Sequence, residues 1–108
     1  MAGKRKEESR PEKPEEASSA LAEVLPPYNV ILHDDNQTPM DFVVETLVRF
    51  FIPDRSHAVE VMHAAHQNGM ALVAVMALER AEFKVEQAHG HARSHGFPLT
   101  FTIEPGGK

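Results

Sequence analysis

Asp34, Asp35 and Asn36 stand side by side, directly after an apolar run and just before a marked helix start. A loop rich in carboxylate and amide oxygens is suited to holding a cation, because charge-assisted hydrogen bonds to an ammonium are about twice as strong as neutral ones. The same residue types also make the ordinary turn that solvates a strand end, so on composition both readings stand. The two carboxylates do not make an acid/base dyad, since neighbours in an extended segment point to opposite faces. Seven histidines in 108 residues are a second feature. His57, His63 and His66 fall on one expected helix and His89, His91 and His95 on another. A zinc site wants three or four convergent donors, and no HExxH pattern supplies them. His66 differs from the rest: it sits four residues after Met62, at the edge of an apolar stripe, where a half-exposed imidazole can reach a ligand. Met40 and Met62 read either as adaptable core filling or as walls of an apolar pocket. No serine lies in a nucleophile elbow, no glycine-rich loop is present to cradle phosphate, and there is no cysteine.

Positioning these groups falls to six elements. Residues 28–32 (YNVIL) form a short β-branched and aromatic run, closed by His33, Asp34, Asp35 and Asn36, as expected of a strand entering a loop. Thr38, Pro39 and Asp41 then predict a helix start with a hydroxyl N-cap, a proline at the first helical position and an acid reaching back to the cap. Met40, Val43, Val44, Leu47, Val48 and Phe51 recur at spacings of three and four until Pro53 ends the helix. Asp54 or Ser56 caps a second helix with Ala58, Val61, Met62 and Ala65 on one face, closed by Gly69. Residues 70–76 (MALVAVM) read as a second strand. A third helix is expected over about residues 79–95, with no good side-chain cap at its start. Leu99, Phe101 and Ile103 alternate with Thr100 and Thr102, the period of a half-buried third strand. The expected fold is therefore α/β (α+β): a three-stranded antiparallel sheet with three helices, in the order β-α-α-β-α-β.

Residues 1–20 contain no Leu, Ile, Val or Phe, so residues 1–25 are expected to be a disordered extension ahead of a core over 26–108. Leu21, Val24 and Leu25 near its end are apolar enough to dock on a partner. Neither a signal peptide nor a membrane span is expected, and the lack of cysteine fits a cytoplasmic protein. A net charge of −5, with no basic stripe, argues against nucleic acid.

Taken together, YNVILHDDNQTPMDFVVETLVRFF over residues 28–51, MHAAH over 62–66 with Gly69, and PLTFTIEP over 98–105 resemble the ClpS family of N-end-rule adaptor proteins. The resemblance runs over essentially all of residues 26–108. It implies a protein without catalytic residues, metal or cofactor. Such a protein would bind the free α-amino group and large hydrophobic first residue (Phe, Tyr, Trp or Leu) of substrate proteins and hand them to the ClpA unfoldase of the ClpAP protease, through that unfoldase's N-terminal domain. By position, Asp34, Asp35, Asn36 and His66 would surround the α-ammonium with Thr38 beside them. Met40, Val43, Met62, Ala65 and Leu99 would wall the apolar pocket, Met40 gating it against β-branched first residues. The family commonly has Asn-Asp-Asp where this chain has Asp34, Asp35 and Asn36, and an aromatic where it has Gln37, departures consistent with a specialised paralogue. The competing readings are an interaction module of ribosomal-stalk-like build, and a metal-dependent enzyme using the histidines.

Overall fold

The computed structural model describes residues 26–106. The expected extension over 1–25 lies outside the described residues. Six elements follow in chain order: β1 (Pro27–His33), α1 (Met40–Phe50), α2 (Arg55–Asn68), β2 (Met70–Ala77), α3 (Leu78–Ser94) and β3 (Thr100–Pro105). This is the expected β-α-α-β-α-β order. The sheet runs β2-β1-β3, with β1 in the centre and antiparallel to both neighbours. The expected antiparallel sheet is thus observed, and α3 carries the chain from one edge of it to the other.

One face of the sheet is covered by helices. Val30 and Leu32 of β1 and Phe101 of β3 project into a core shared with Val44 and Leu47 of α1, Ala58 and Val61 of α2, and Ala81, Val85, Ala88 and Ala92 of α3. The small residues of α3 let that helix lie close to the sheet, while Leu47, fully buried, contributes about 1.5 to 3 kcal/mol by leaving water. Ile31 points to the opposite face, opposite Leu72 of β2 and Thr102 of β3. Leu72 is 45% exposed there, so the apolar run of β2 reflects an edge strand with one open face rather than a strand buried on both. The pairing of β1 with β2 shifts between Val30 and Ile31: Val30 faces Ala74 and Ile31 faces Leu72, leaving Val73 as an extra residue that drops into the core.

The start of α1 differs from its expected form. Pro39, extended at ψ 145°, occupies the N-cap, and no side chain caps the helix. The Thr38 hydroxyl, expected to cap it, donates instead to the Asp35 carboxylate at 3.0 Å. A hydroxyl beside a carboxylate has a stronger acceptor available than a backbone amide offers it as a donor, and Thr38 turns that way. Asp41 consequently has no cap to reach back to. Asp54 does cap α2, accepting from the Ser56 N–H at 3.2 Å, and α3 starts at Leu78 without a side-chain cap, as expected.

Gly69 ends α2 at φ +90°, with its N–H on the Ala65 carbonyl at 2.8 Å. No heavy atom lies within 4 Å of where a Cβ would stand. Gly69→Ala should therefore cost only the left-handed backbone penalty, about 1 to 2 kcal/mol, read as a lower urea midpoint with unchanged slope.

Candidate functional site

The loop between β1 and α1 is built around one carboxylate. Asp35 Oδ1 accepts the backbone N–H groups of Gln37 at 2.8 Å and Thr38 at 2.7 Å, and Oδ2 accepts the Thr38 hydroxyl. An aspartate that closes a turn over the next three residues in this way fixes their backbone, and it holds Thr38 buried. Asp34 goes elsewhere. Its N–H donates to the Gly69 carbonyl at 3.0 Å, tying the loop to the end of α2. One turn back along that helix stands His66, whose Nδ1 lies 3.5 Å from Asp34 Oδ1. The two neighbouring carboxylates thus diverge, one into its own loop and one toward an imidazole. With Nδ1 turned to a carboxylate, the other ring nitrogen of His66 is left for a second partner.

Beside this rim lies a cavity of about 350 Å³, within the range of about 300 to 1,000 Å³ usual for small-ligand sites. Leu32, Val43, Met62, Ala65 and Leu99, all buried, contribute its apolar depth. Asp34, Asp35, Asn36, Thr38 and His66 line it as well, as does Met40, a residue 45% exposed at the first turn of α1. All ten residues singled out from the sequence therefore border a single cavity. Four further lining residues, Leu32, His33, Gln37 and Pro39, were not among them. Leu32 could have been found as the last core-facing residue of β1 before the acidic loop. His33 is turned from the core and shares a 2.6 Å hydrogen bond with Thr102 Oγ1.

The histidines of α3 do not join this cavity. His91 stacks on Phe42 with ring centroids 5.2 Å apart and planes within 10°, and lies 4.7 Å from His95. Its pKa is lowered below 6.5 by burial first, then by the Arg49 charge and by His95. His89 turns to the other side of the helix, toward β3. Among the described residues no group of three or more His, Asp or Glu is placed to hold a metal ion, and no helix is long and apolar enough to cross a membrane.

The family model described as "ATP-dependent Clp protease adaptor protein ClpS" matches residues 23–102 of this chain. The chain belongs to the ClpS family. The ATP-dependent Clp protease adapter protein ClpS of Vibrio atlanticus (strain LGP32) is 46% identical over 83 residues, covering 75% of this chain and 78% of that relative. The ClpS protein of Ruegeria sp. (strain TM1040) is 46% identical over 79 residues, covering 73% and 70%. Among solved structures, Agrobacterium tumefaciens ClpS2 bound to L-phenylalaninamide superposes with a TM-score of 0.73 at 37% identity, covering 75% of this chain and 98% of that one. The residues that line the cavity from Leu32 to Leu99 all fall inside the matched ClpS region.

Proposed function

We propose that this ClpS-family protein binds the first residue of other polypeptides through the cavity beside Asp34 and delivers them to the ClpA unfoldase of the Clp protease. The observation that carries the reading is the cavity's division: an apolar depth of Leu32, Val43, Met62, Ala65 and Leu99 next to a rim with two carboxylates, an amide and an imidazole. A chain start offers three N–H donors and a positive charge, whereas an internal peptide offers one donor and none. The rim suits the former. A side chain the size of Phe or Leu gains about 1.5 to 3 kcal/mol on entering the depth. The Agrobacterium relative was solved with L-phenylalaninamide, a free amine joined to an aromatic side chain, which supports the same division of labour here. Delivery to ClpA rests on the adaptor family alone.

Asp34 gives this rim a character of its own. An asparagine there both donates and accepts; the carboxylate only accepts. It adds attraction for an ammonium and removes a donor toward the first carbonyl of the ligand, a donor that Asn36 on the same rim can supply.

The test is a set of peptides differing only in their first residue, with binding followed by anisotropy of a dye at the far end. Phe, Tyr, Trp and Leu starts are expected to bind; Gly, Lys and Asp starts are not. Indifference to the first residue would refute the reading. In the same set Met40→Ala should admit Ile and Val starts, because the exposed Met40 side chain narrows the mouth where a β-branched residue is widest. Unchanged selection would move the gate away from Met40.

A further inference from the structure

Leu99 forms part of the cavity's apolar depth, yet it is carried by the connection into an edge strand, whose outer N–H groups have no neighbouring strand to pair with. Helix α3 bonds the carbonyls of the connection and takes up one of those N–H groups. Arg93 Nη1 donates to the Phe97 carbonyl at 2.9 Å and to the Leu99 carbonyl at 2.8 Å. Two residues beyond Leu99, the Phe101 N–H donates to His89 Nε2 at 2.9 Å. The arginine bonds do not depend on pH, because a guanidinium keeps its charge at any pH a protein meets. The histidine bond exists only while Nε2 carries a lone pair.

We propose that His89 is a positioning residue of the binding cavity: the neutral ring holds Phe101 against α3 and so backs the Leu99 wall, and the protonated ring lets Phe101 go and leaves that wall to Arg93 alone. The inference deepens the peptide-binding reading above and rests on it. Protonated Nε2 becomes a donor that confronts another donor, the Phe101 N–H, so the contact turns from attraction to repulsion. His89 is half-buried; burial, first, and the Arg93 charge one turn along the helix, second, lower its pKa below 6.5 and outweigh an opposing effect of the Phe101 backbone. Glu86 lies one turn earlier on the same helix. Of the elements packed against α3, β3 presents the Phe101 N–H and its ring, centroid 6.0 Å away, with Glu104 three residues further along. On β1, Tyr28 and His33 are titratable, and His33 is bonded to Thr102. On α1, Asp41, Glu45 and Arg49 are charged; Arg49 acts on His91, and Glu45 pairs with Arg55. β2 has no titratable side chain.

The sign follows from the direction of the shift. Since the folded ring is harder to protonate than the unfolded one, the stabilisation is complete above pH 6.5 and declines as pH falls below it toward the folded pKa. His89→Gln isolates this bond, because the glutamine amide oxygen can accept from Phe101 and does not titrate. The experiment follows the Leu99 methyl and Phe101 amide NMR signals of the free protein from pH 7.5 to 4.5, and the affinity of a free-amine peptide beginning with Phe over the same range. Wild type is expected to show both signals titrating with a midpoint below 6.5 and binding about three- to tenfold weaker at the acid end. In His89→Gln the Phe101 amide should stop titrating, and the acid loss of affinity should shrink. A Phe101 amide that does not titrate in wild type, or titrates unchanged in His89→Gln, overturns the proposal. So does an acid loss of affinity that is equal in the two proteins. Should the peptide fail to bind even at pH 7.5, the peptide-binding reading falls, while the NMR titration still decides whether His89 holds the wall.

Discussion

A peptide beginning with Phe should lose its binding, by about 100-fold or more, when its α-amine is acetylated. Acetylation removes the positive charge and two of the three N–H donors while leaving the side chain and the rest of the peptide intact. The apolar depth still takes the ring, so the change falls on the rim alone. There, Asp34 and the free nitrogen of His66 face an amide with a single donor in place of an ammonium. Each acceptor left unpaired on burial costs about 1 to 3 kcal/mol. Two such losses reach the stated factor, since about 1.4 kcal/mol corresponds to tenfold. Isothermal titration of the free and acetylated peptides measures it directly. Equal affinities would mean that the rim does not read the chain start, and the role assigned to Asp34 and His66 would go with them.

Asp35→Ala should have the second largest effect, because that carboxylate closes the loop and, on the proposed function, also borders the ligand. The substitution strips acceptors from the Gln37 N–H, the Thr38 N–H and the Thr38 hydroxyl, and Thr38 is buried. The expected loss is about 1 to 2 kcal/mol of stability, since only part of this group is out of water, together with at least a tenfold loss of peptide affinity as the rim loses its fixed shape. Asp35→Asn tells the two roles apart. Its amide oxygen can still accept both backbone N–H groups, so the stability loss should be smaller, while the negative charge is gone. Urea unfolding and peptide binding measured on both variants give four numbers. Wild-type affinity in Asp35→Asn would leave the carboxylate with a purely architectural part.

The residues themselves show why some of this structure could be read in advance. β3 was legible because Leu99, Phe101 and Ile103 alternate with threonines, and a period of two has one interpretation on a half-covered sheet. The Asp54 cap and the Gly69 stop of α2 are local devices that need no knowledge of the rest of the chain. Thr38 went otherwise: the Thr-Pro pair marks a helix start correctly, but which group the hydroxyl bonds depends on Asp35, a competition that helix rules do not weigh. The extra residue Val73 was invisible, since a continuous apolar run carries no register. The bond from Phe101 to His89 joins residues twelve apart through the packing of α3 on an edge strand, and no spacing rule reaches it. In the site, the two halves were legible for different reasons. The apolar residues declared themselves by helical and strand periodicity. The acidic triplet left two readings open, cation holder or turn, and Asp35 itself makes the turn. The grouping of all ten residues at one cavity followed from the family pattern rather than from local spacing.

The turn closed by Asp35 also bears on speed. Its three hydrogen bonds already exist in the unliganded protein, so, on the proposed function, an arriving guest meets a loop that is already shaped and loses little free energy to ordering it. On that proposal capture is a matter of collision and of slipping past the Met40 side chain, and differences in how tightly guests are kept should appear in how slowly they leave.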